Sequence, residues 1–540
     1  MIYFLTMLLI TGQCLCTNPF DSTLEVDSQN RDQFFKQTPP FTYPFNQDDN
    51  LNSYRMNLAK LSKMLGLSKL DELQNVFKQF IYDEKLNLYA YDFSTGTNWD
   101  ILPHPIIKSL DGQDPKDWSH HFNNQINENE GVHALTFLKE IDMTTGTKSY
   151  AGNSLELLKT PKSRLKIMEK LAEAKDHVFM SGFLFQCDAG SKDILTLLEK
   201  KIKMGVNVFL ILDSTFTMSD RRCVRRLKQM GVILGLAGGL LKFFHEKMYV
   251  FDGEYGIIDG QNIVSAQTLS NGHNNLINDM GIGFKGPIVQ EVAHRFLDHW
   301  VNLMKKKMPK KIIEFYKNKK SDAIEYQGDD SIQRGLQARS GVCRLVVENP
   351  GSSKRKILPM YQAYIKEAQN YIFFNMIDLR FEKLGGNSVG IQFLDDIINK
   401  SLSNKDLRVD MLTNQWKLPT DIELPRGLAK ESNLFSFLIT RPGLLFFELP
   451  HKQIGKGRNH ILPMLDKNNF NWWASAQYNH SKTMMIDNIT TMVGSYNIND
   501  VSNKRSYEQV LVCNDQQIAE EMQKSILQDL LNSIPINLNR

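Results

Sequence analysis

In NHSKTMMIDNITTMVGSYNIND, residues 479–500, His480 and Lys482 stand two apart in a run of strand-forming residues, so on an extended backbone both side chains leave the same face. Asp487 follows, then Gly494, Ser495 and Asn497. An imidazole that exchanges protons near neutral pH, a fixed ammonium and an amide donor converging on one spot suit a bound phosphate. A second set lies upstream in FFHEKMYVFDGEYGIIDGQNIVS, where His245, Lys247, Asp252 and Asn262 repeat the pattern. Histidine and asparagine are 17 residues apart in both copies. One HxK pair on a strand is ordinarily a surface feature or a satisfied piece of core; two matched sets in one chain point to chemistry. The copies differ at one place: where the second has Gly494-Ser495, the first has Asp259-Gly260.

The elements that must carry these sets repeat as well. Residues 161–174 read as a helix, 176–185 as a buried strand, 192–204 as a helix, 207–214 as a strand and 221–230 as a helix. Apolar VILGLAGGLLKFF, read as two buried strands around a glycine turn rather than a lipid-inserting loop, then delivers the chain to His245. In the later half, 356–368 and 389–401 read as helices and 370–377 and 407–413 as strands on the way to His480. This alternation predicts an α/β fold of two similar lobes, 151–304 and 341–535, each a mixed β-sheet flanked by helices. A lysine-rich linker, 305–340, joins them. Residues 17–150 read as an N-terminal extension, helical over 51–80 and otherwise irregular. Trp472 and Trp473 read as core, with an apolar slot or a membrane-facing rim as the functional alternative.

The formal net charge of +4 over 540 residues marks no partner by itself and is lighter than a protein dedicated to duplex nucleic acid ordinarily carries. MIYFLTMLLITGQCLC, residues 1–16, reads as a secretory signal peptide, with a short membrane anchor as the alternative, and no later segment is apolar enough to span a bilayer. An exported protein, secreted or periplasmic, is the expectation. Cys187, Cys223, Cys343 and Cys513 would survive processing; they show no zinc spacing, and their scatter reads as buried free thiols rather than a disulfide. No metal or cofactor is expected. The basic run KKKMPKK, 305–311, reads as solvated, and His294 and His299 as packing or surface residues.

HEKMYVFDG, DGQN, the GPIV helix at 286–300 and NHSKTMMIDN…GSYN together resemble the phospholipase D superfamily, whose HxKxxxxD signature with a small-residue turn and an asparagine occurs twice in two-lobed members. The look is that of its bacterial cardiolipin synthases and secreted phospholipases D, and it covers residues 155–530. The resemblance implies two lobes about a pseudo-two-fold axis, one active site between them, and transfer of a phosphatidyl group to water or an alcohol through a covalent phosphohistidine. It implies His245 as nucleophile and His480 as acid, with Lys247 and Lys482 neutralising phosphate charge and Asn262 and Asn497 donating hydrogen bonds to it. The superfamily's acidic residue about thirty positions past each histidine falls on Asp279 and Glu508, which would orient the imidazoles. Asp252 and Asp487, with Gly260, Gly494 and Ser495, would be structural, tying the motif turn together. The implied partner is a phospholipid at a membrane surface, and both motifs in one chain imply a monomer. Two other readings are an exported nuclease, against which the charge and the leader count, and a retired binding protein, against which two complete sets count.

Overall fold

The computed structural model of the chain describes residues 81–83, 88–90, 131–160, 162–187, 191–217, 220–239, 242–263, 277–319, 323–324, 341–377, 389–414, 470–475, 478–531 and 533–536. The leader, the helical reading of 51–80 and the apolar RPGLLFFELP at 441–450 lie outside these residues. Of the N-terminal extension, an antiparallel pair of Ile81–Asp83 with Leu88–Ala90, a single turn at Gly131–His133 and a helix at Leu135–Thr145 are described.

The first half builds a seven-stranded sheet from β1 (Ser154–Lys159), β2 (His177–Gly182), β3 (Asn207–Asp213), β4 (Ile233–Ala237), β5 (Met248–Phe251), β6 (Tyr255–Asp259) and β7 (Met280–Lys285). Its order is β1-β7-β6-β5-β2-β3-β4. β2, β3 and β4 run parallel, connected through α1 (Lys162–Glu173, before β2), α2 (Lys192–Lys203) and α3 (Arg221–Gln229), while the remaining pairs are antiparallel. The second half supplies β8 (Val342–Glu348), β9 (Tyr371–Met376), β10 (Arg408–Asn414), β11 (Phe470–Ser475), β12 (Lys482–Ile486), β13 (Thr490–Gly494), β14 (Ser506–Asn514) and β15 (Ser533–Ile536). Their order, β8-β14-β13-β12-β9-β10-β11-β15, matches the first sheet strand for strand and adds β15 at the outer edge. Here too the central strands β9, β10 and β11 are parallel.

Alternation explains why the sequence shows these strands as unbroken apolar runs: both faces are covered. Phe179, Phe209, Ile211, Val250, Ile258 and Ile282 of the first sheet enter the same buried cluster as Met485, Val493 and Leu511 of the second. Their neighbours Val178, Met180, Val208, Leu210, Tyr249 and Ile257 turn the other way, into a second cluster with Ile167, Leu171, Ile194 and Leu198 of α1 and α2. The two halves therefore share a core. Trp472 and Trp473 are buried in β11, their indole N–H groups donating to Thr413 Oγ1 at 2.8 Å and Asp410 Oδ1 at 3.0 Å.

Within the stretch read as a linker lies a helix, Lys310–Asn318, whose buried Tyr316 places its hydroxyl 2.8 Å from His177 Nε2. Two expectations change. VILGLAGGLLKFF is not two buried strands: β4 lies at the sheet edge with Ile233 and Leu236 exposed, and Phe243–Phe244 pairs with the second half instead of returning on β4. The cysteines are not free thiols. Cys187 is joined to Cys223 of α3, and Cys343 to Cys513, which the β8–β14 register sets directly opposite one another. Separations of 36 and 170 residues carried no sign of either pairing. Among the described residues no helix is long and apolar enough to cross a membrane.

A non-reducing digest should yield Cys187 linked to Cys223 and Cys343 linked to Cys513, and reduction should lower stability by about 2–4 kcal/mol per bridge. Alkylation of all four cysteines without reductant would contradict the pairings.

Candidate active site

Two very short strand pairings set the site. Phe243–Phe244, just before His245, runs parallel to Ser506–Tyr507, just before Glu508. Tyr478–Asn479, just before His480, runs parallel to Ile277–Asn278, just before Asp279. Backbone bonds continue both pairings by one residue: His245 N–H donates to the Tyr507 carbonyl at 3.1 Å, and His480 N–H to the Asn278 carbonyl at 2.7 Å. Each histidine thus faces the carboxylate of the opposite half. His245 Nδ1 lies 3.0 Å from Glu508 Oε2, and His480 Nδ1 lies 2.6 Å from Asp279 Oδ2. Both carboxylates are fully buried. Spacing sets each acid about thirty residues past the histidine of its own half, whereas the structure places each against the histidine of the other half.

Lys247 and Lys482 are buried too, and each ammonium donates to the carbonyl of the histidine two residues back, at 2.7 Å for Lys247. Extended geometry accounts for this, since residues i and i+2 share a strand face. Burial, and then the charge of Lys482, pull Lys247 down to about 7. Burial also lowers the proton affinity of His245, against the pull of Glu508. His480 is held well below the usual imidazole range, first by burial and then by Lys482, Lys247 and His245. Asp279 is lifted to about 7, chiefly by burial and in spite of Lys482. Charges act on one another through a low-dielectric interior, and the push of Lys482 on Lys247 would be relieved by an anion between them.

Asn262 Oδ1 accepts from Leu184 N–H at 3.1 Å, which fixes the orientation of that amide. Asn497 is partly exposed, its Oδ1 without a hydrogen-bond partner among the described residues. Gly260 and Gly494 are required by close approach: a Cβ would fall 2.2 Å from Asp279 Oδ1 at the first and 2.1 Å from the Gln509 carbonyl at the second. Ser495 donates to Glu508 Oε2 and accepts from Gln509 N–H at 3.1 Å.

Asp252 and Asp487 do not tie their own turns; they anchor the start of the neighbouring strand. Asp252 accepts from the backbone N–H groups of Lys175, Asp176 and His177 at 2.7–2.9 Å, and Asp487 from those of Gln369, Asn370 and Tyr371 at 2.7–3.1 Å. Both sit in the left-handed region, at φ 52° and 49°, a conformation aspartate tolerates better than most residues.

Other residues at the site were not read from the sequence. Phe183 sets its ring edge-to-face with His245, centroids 5.0 Å apart. Glu246, between His245 and Lys247, points to the other side of its strand, where Arg295 grips it through two guanidinium nitrogens and His299 Nε2 meets it at 2.8 Å. His299 is therefore a buried partner of the motif strand, while His294 is exposed. A carboxylate facing away from the motif inside a buried strand demands a buried cation, and that signal was available. The run 305–311 is exposed apart from Met308 and makes no contact with the motif residues among those described.

The family described as "Cardiolipin synthase, PLD-like domain" matches residues 167–300 and 361–530, more than half of the chain. The chain belongs to this phospholipase D-like family. It is 22% identical over 248 residues to the probable cardiolipin synthase YwiE of Bacillus subtilis, an alignment covering 44% of this chain and 45% of that one. It is 29% identical over 137 residues to cardiolipin synthase A of Pseudomonas aeruginosa, covering 23% and 28%. The chain thus spans less than half the length of these curated relatives. In fold it is similar to phosphatidylserine synthase of Haemophilus influenzae, at a TM-score of 0.54 and 12% identity, over 74% of this chain and 92% of that one.

Asp487→Ala would leave three backbone N–H groups without an acceptor at a position only 2% exposed. A loss of about 2–4 kcal/mol is expected in urea unfolding. A loss below about 0.5 kcal/mol would mean that these bonds do not anchor β9.

Proposed function

We infer that the two halves, related by a pseudo-two-fold axis, form one active site and that the chain is a phosphatidyltransferase of the phospholipase D type. The observation that carries this reading is the crosswise pair of histidine–carboxylate contacts, because neither half holds an oriented imidazole without the other. Nδ1 of each ring is engaged by a carboxylate, with Lys482 Nζ 3.0 Å from Nδ1 and 3.4 Å from Nε2 of His480, and Nε2 is taken as the reacting nitrogen of both rings. His245 Nε2 attacks phosphorus and forms an N–P bond as the P–O bond to the leaving group breaks. The leaving oxygen takes a proton from His480. Water or an alcohol then gives its proton to His480 and attacks phosphorus, the N–P bond breaks, and His245 is released.

Lys247 and Lys482 neutralise the non-bridging oxygens, and Asn262 and Asn497 donate to them as charge grows. Family membership supports a phospholipid as substrate, and the two disulfides support an oxidising compartment, hence an exported protein acting as a monomer at a membrane surface. The same reading keeps a cleaved leader at 1–16, an extension at 17–150, lobes at 151–304 and 341–535, and a connection at 305–340.

Purified protein incubated with mixed phospholipids, with and without glycerol, and separately with a labelled oligonucleotide, tests the reading. Headgroup release or exchange without strand cleavage is expected, and His245→Ala and His480→Ala should each reduce it by about 10³-fold or more. Full activity in either variant would overturn the assigned chemistry, and strand cleavage would move the substrate to nucleic acid.

A further inference from the structure

The two halves depart from one another at the end of the strand after the lysine. β13 ends on Gly494, which lies opposite Val510 of β14; β6 ends on Asp259, which lies opposite Gly281 of β7. The glycine has changed strands. A Cβ on Gly494 would strike the Gln509 carbonyl, so the second half has no room for a side chain there. In the first half the room comes from Gly281, where an added Cβ would press on Asp259 Cγ and Oδ1 at 3.1 Å. The space is a fitted slot for a carboxylate.

Asp259 fills that slot fully buried. It accepts from the Ser163 hydroxyl of α1 and, at 3.0 Å, from Gln261 N–H. One residue on, the missing Cβ of Gly260 admits Asp279 Oδ1, so the carboxylate bonded to His480 lies beside a second one. On the other side of the site the second acid is already paired: Glu508, which holds His245, accepts from the neutral hydroxyl of Ser495, and buried Glu348, opposite Glu508 in the β8–β14 register, accepts from Lys356 N–H at 2.8 Å and lies 3.5 Å from Arg355 Nη1.

We propose that Asp259 is a positioning residue for His480, acting through Asp279: its negative charge behind the histidine–carboxylate pair keeps His480 protonated and so makes it the proton donor, leaving His245 as the nucleophile. This rests on the one-site reading above and adds to it a physical cause for unequal roles. Burial comes first among the forces against protonation, and then Lys482 and Lys247 from the two motif strands and His245 push His480 down. Asp279 touches the ring with Asp259 behind it, Lys482 Nζ lies 3.0 Å from the same Nδ1, and Glu508 faces His245; Tyr249 of β5, near Asp259, stays neutral. Burial and then the charge of Asp279 hold Asp259 up at about 7. The His480–Asp279 contact shares a proton and Asp279 is itself lifted to about 7, so the charge of Asp259 arrives over the range in which that pair gives its proton up. A nearby negative charge favours imidazolium, so the sign is fixed: without Asp259, His480 gives up its proton at lower pH.

The test is Asp259→Asn, which keeps the shape and the hydrogen-bonding positions, beside Asp259→Gly, which installs the residue of the second half. The His480 ring is titrated by NMR in histidine-labelled protein, assigned with His480→Gln, and needs no turnover, so it reads this proposal even if the phosphatidyltransferase reading fails. Both variants should move the His480 titration down by about one pH unit, and the alkaline limb of the kcat profile with it. An unchanged His480 titration in folded Asp259→Asn protein, or a shift confined to His245 and the acid limb, would overturn it.

Discussion

Each imidazole is held by a carboxylate that the same half of the chain cannot provide, and two short strand pairings enforce it. Phe243–Phe244 against Ser506–Tyr507, and Tyr478–Asn479 against Ile277–Asn278, bring backbone to backbone immediately before the four residues that matter. The register of a parallel pair fixes which residue follows alongside which, so His245 meets Glu508 and His480 meets Asp279 without further adjustment. Behind the pairings lies the cluster that both sheets line, and apolar side chains buried there are worth about 1.5–3 kcal/mol each relative to exposure. Separating the halves would expose that cluster and strip both rings of their partners at once.

Burial gives the site its electrical character. Two lysines, two carboxylates and two imidazoles are brought out of water together, and desolvation leads the causes that shift Lys247, Asp279 and both histidines. Lys247 and Asp279 are thereby brought to about 7, where their two protonation states lie close in energy. The same desolvation makes Glu246 depend on Arg295 and His299, so the helix that carries them holds the motif strand from behind. Asp252 and Asp487 pin the strands that run beside the motifs. Rigid support on both sides is what a preorganised site needs.

Much of this was legible in the sequence because it is local. The helix expected at 161–174 is Lys162–Glu173, and the strand expected at 207–214 is Asn207–Asp213, since helical period and apolar runs are set by near neighbours. The motif spacing likewise singled out His245, His480, Asp279 and Glu508, which the fold draws into two contacts. What escaped is what only long-range pairing creates. Cys343 and Cys513 become partners through the β8–β14 register, and the acids cross between halves through two-residue strands too short to carry a pattern. Asp259 was visible as a departure from the second copy, but its meaning depends on Gly281 across the sheet.

The central claim is that two halves make one phosphate site and not two. Isothermal titration with tungstate, a non-reacting phosphate mimic, reads this directly through its stoichiometry. One anion per chain is expected, lost in Lys247→Met and equally in Lys482→Met, since both ammoniums would hold the same ion. Two anions per chain, or one retained by each single variant, would contradict the account.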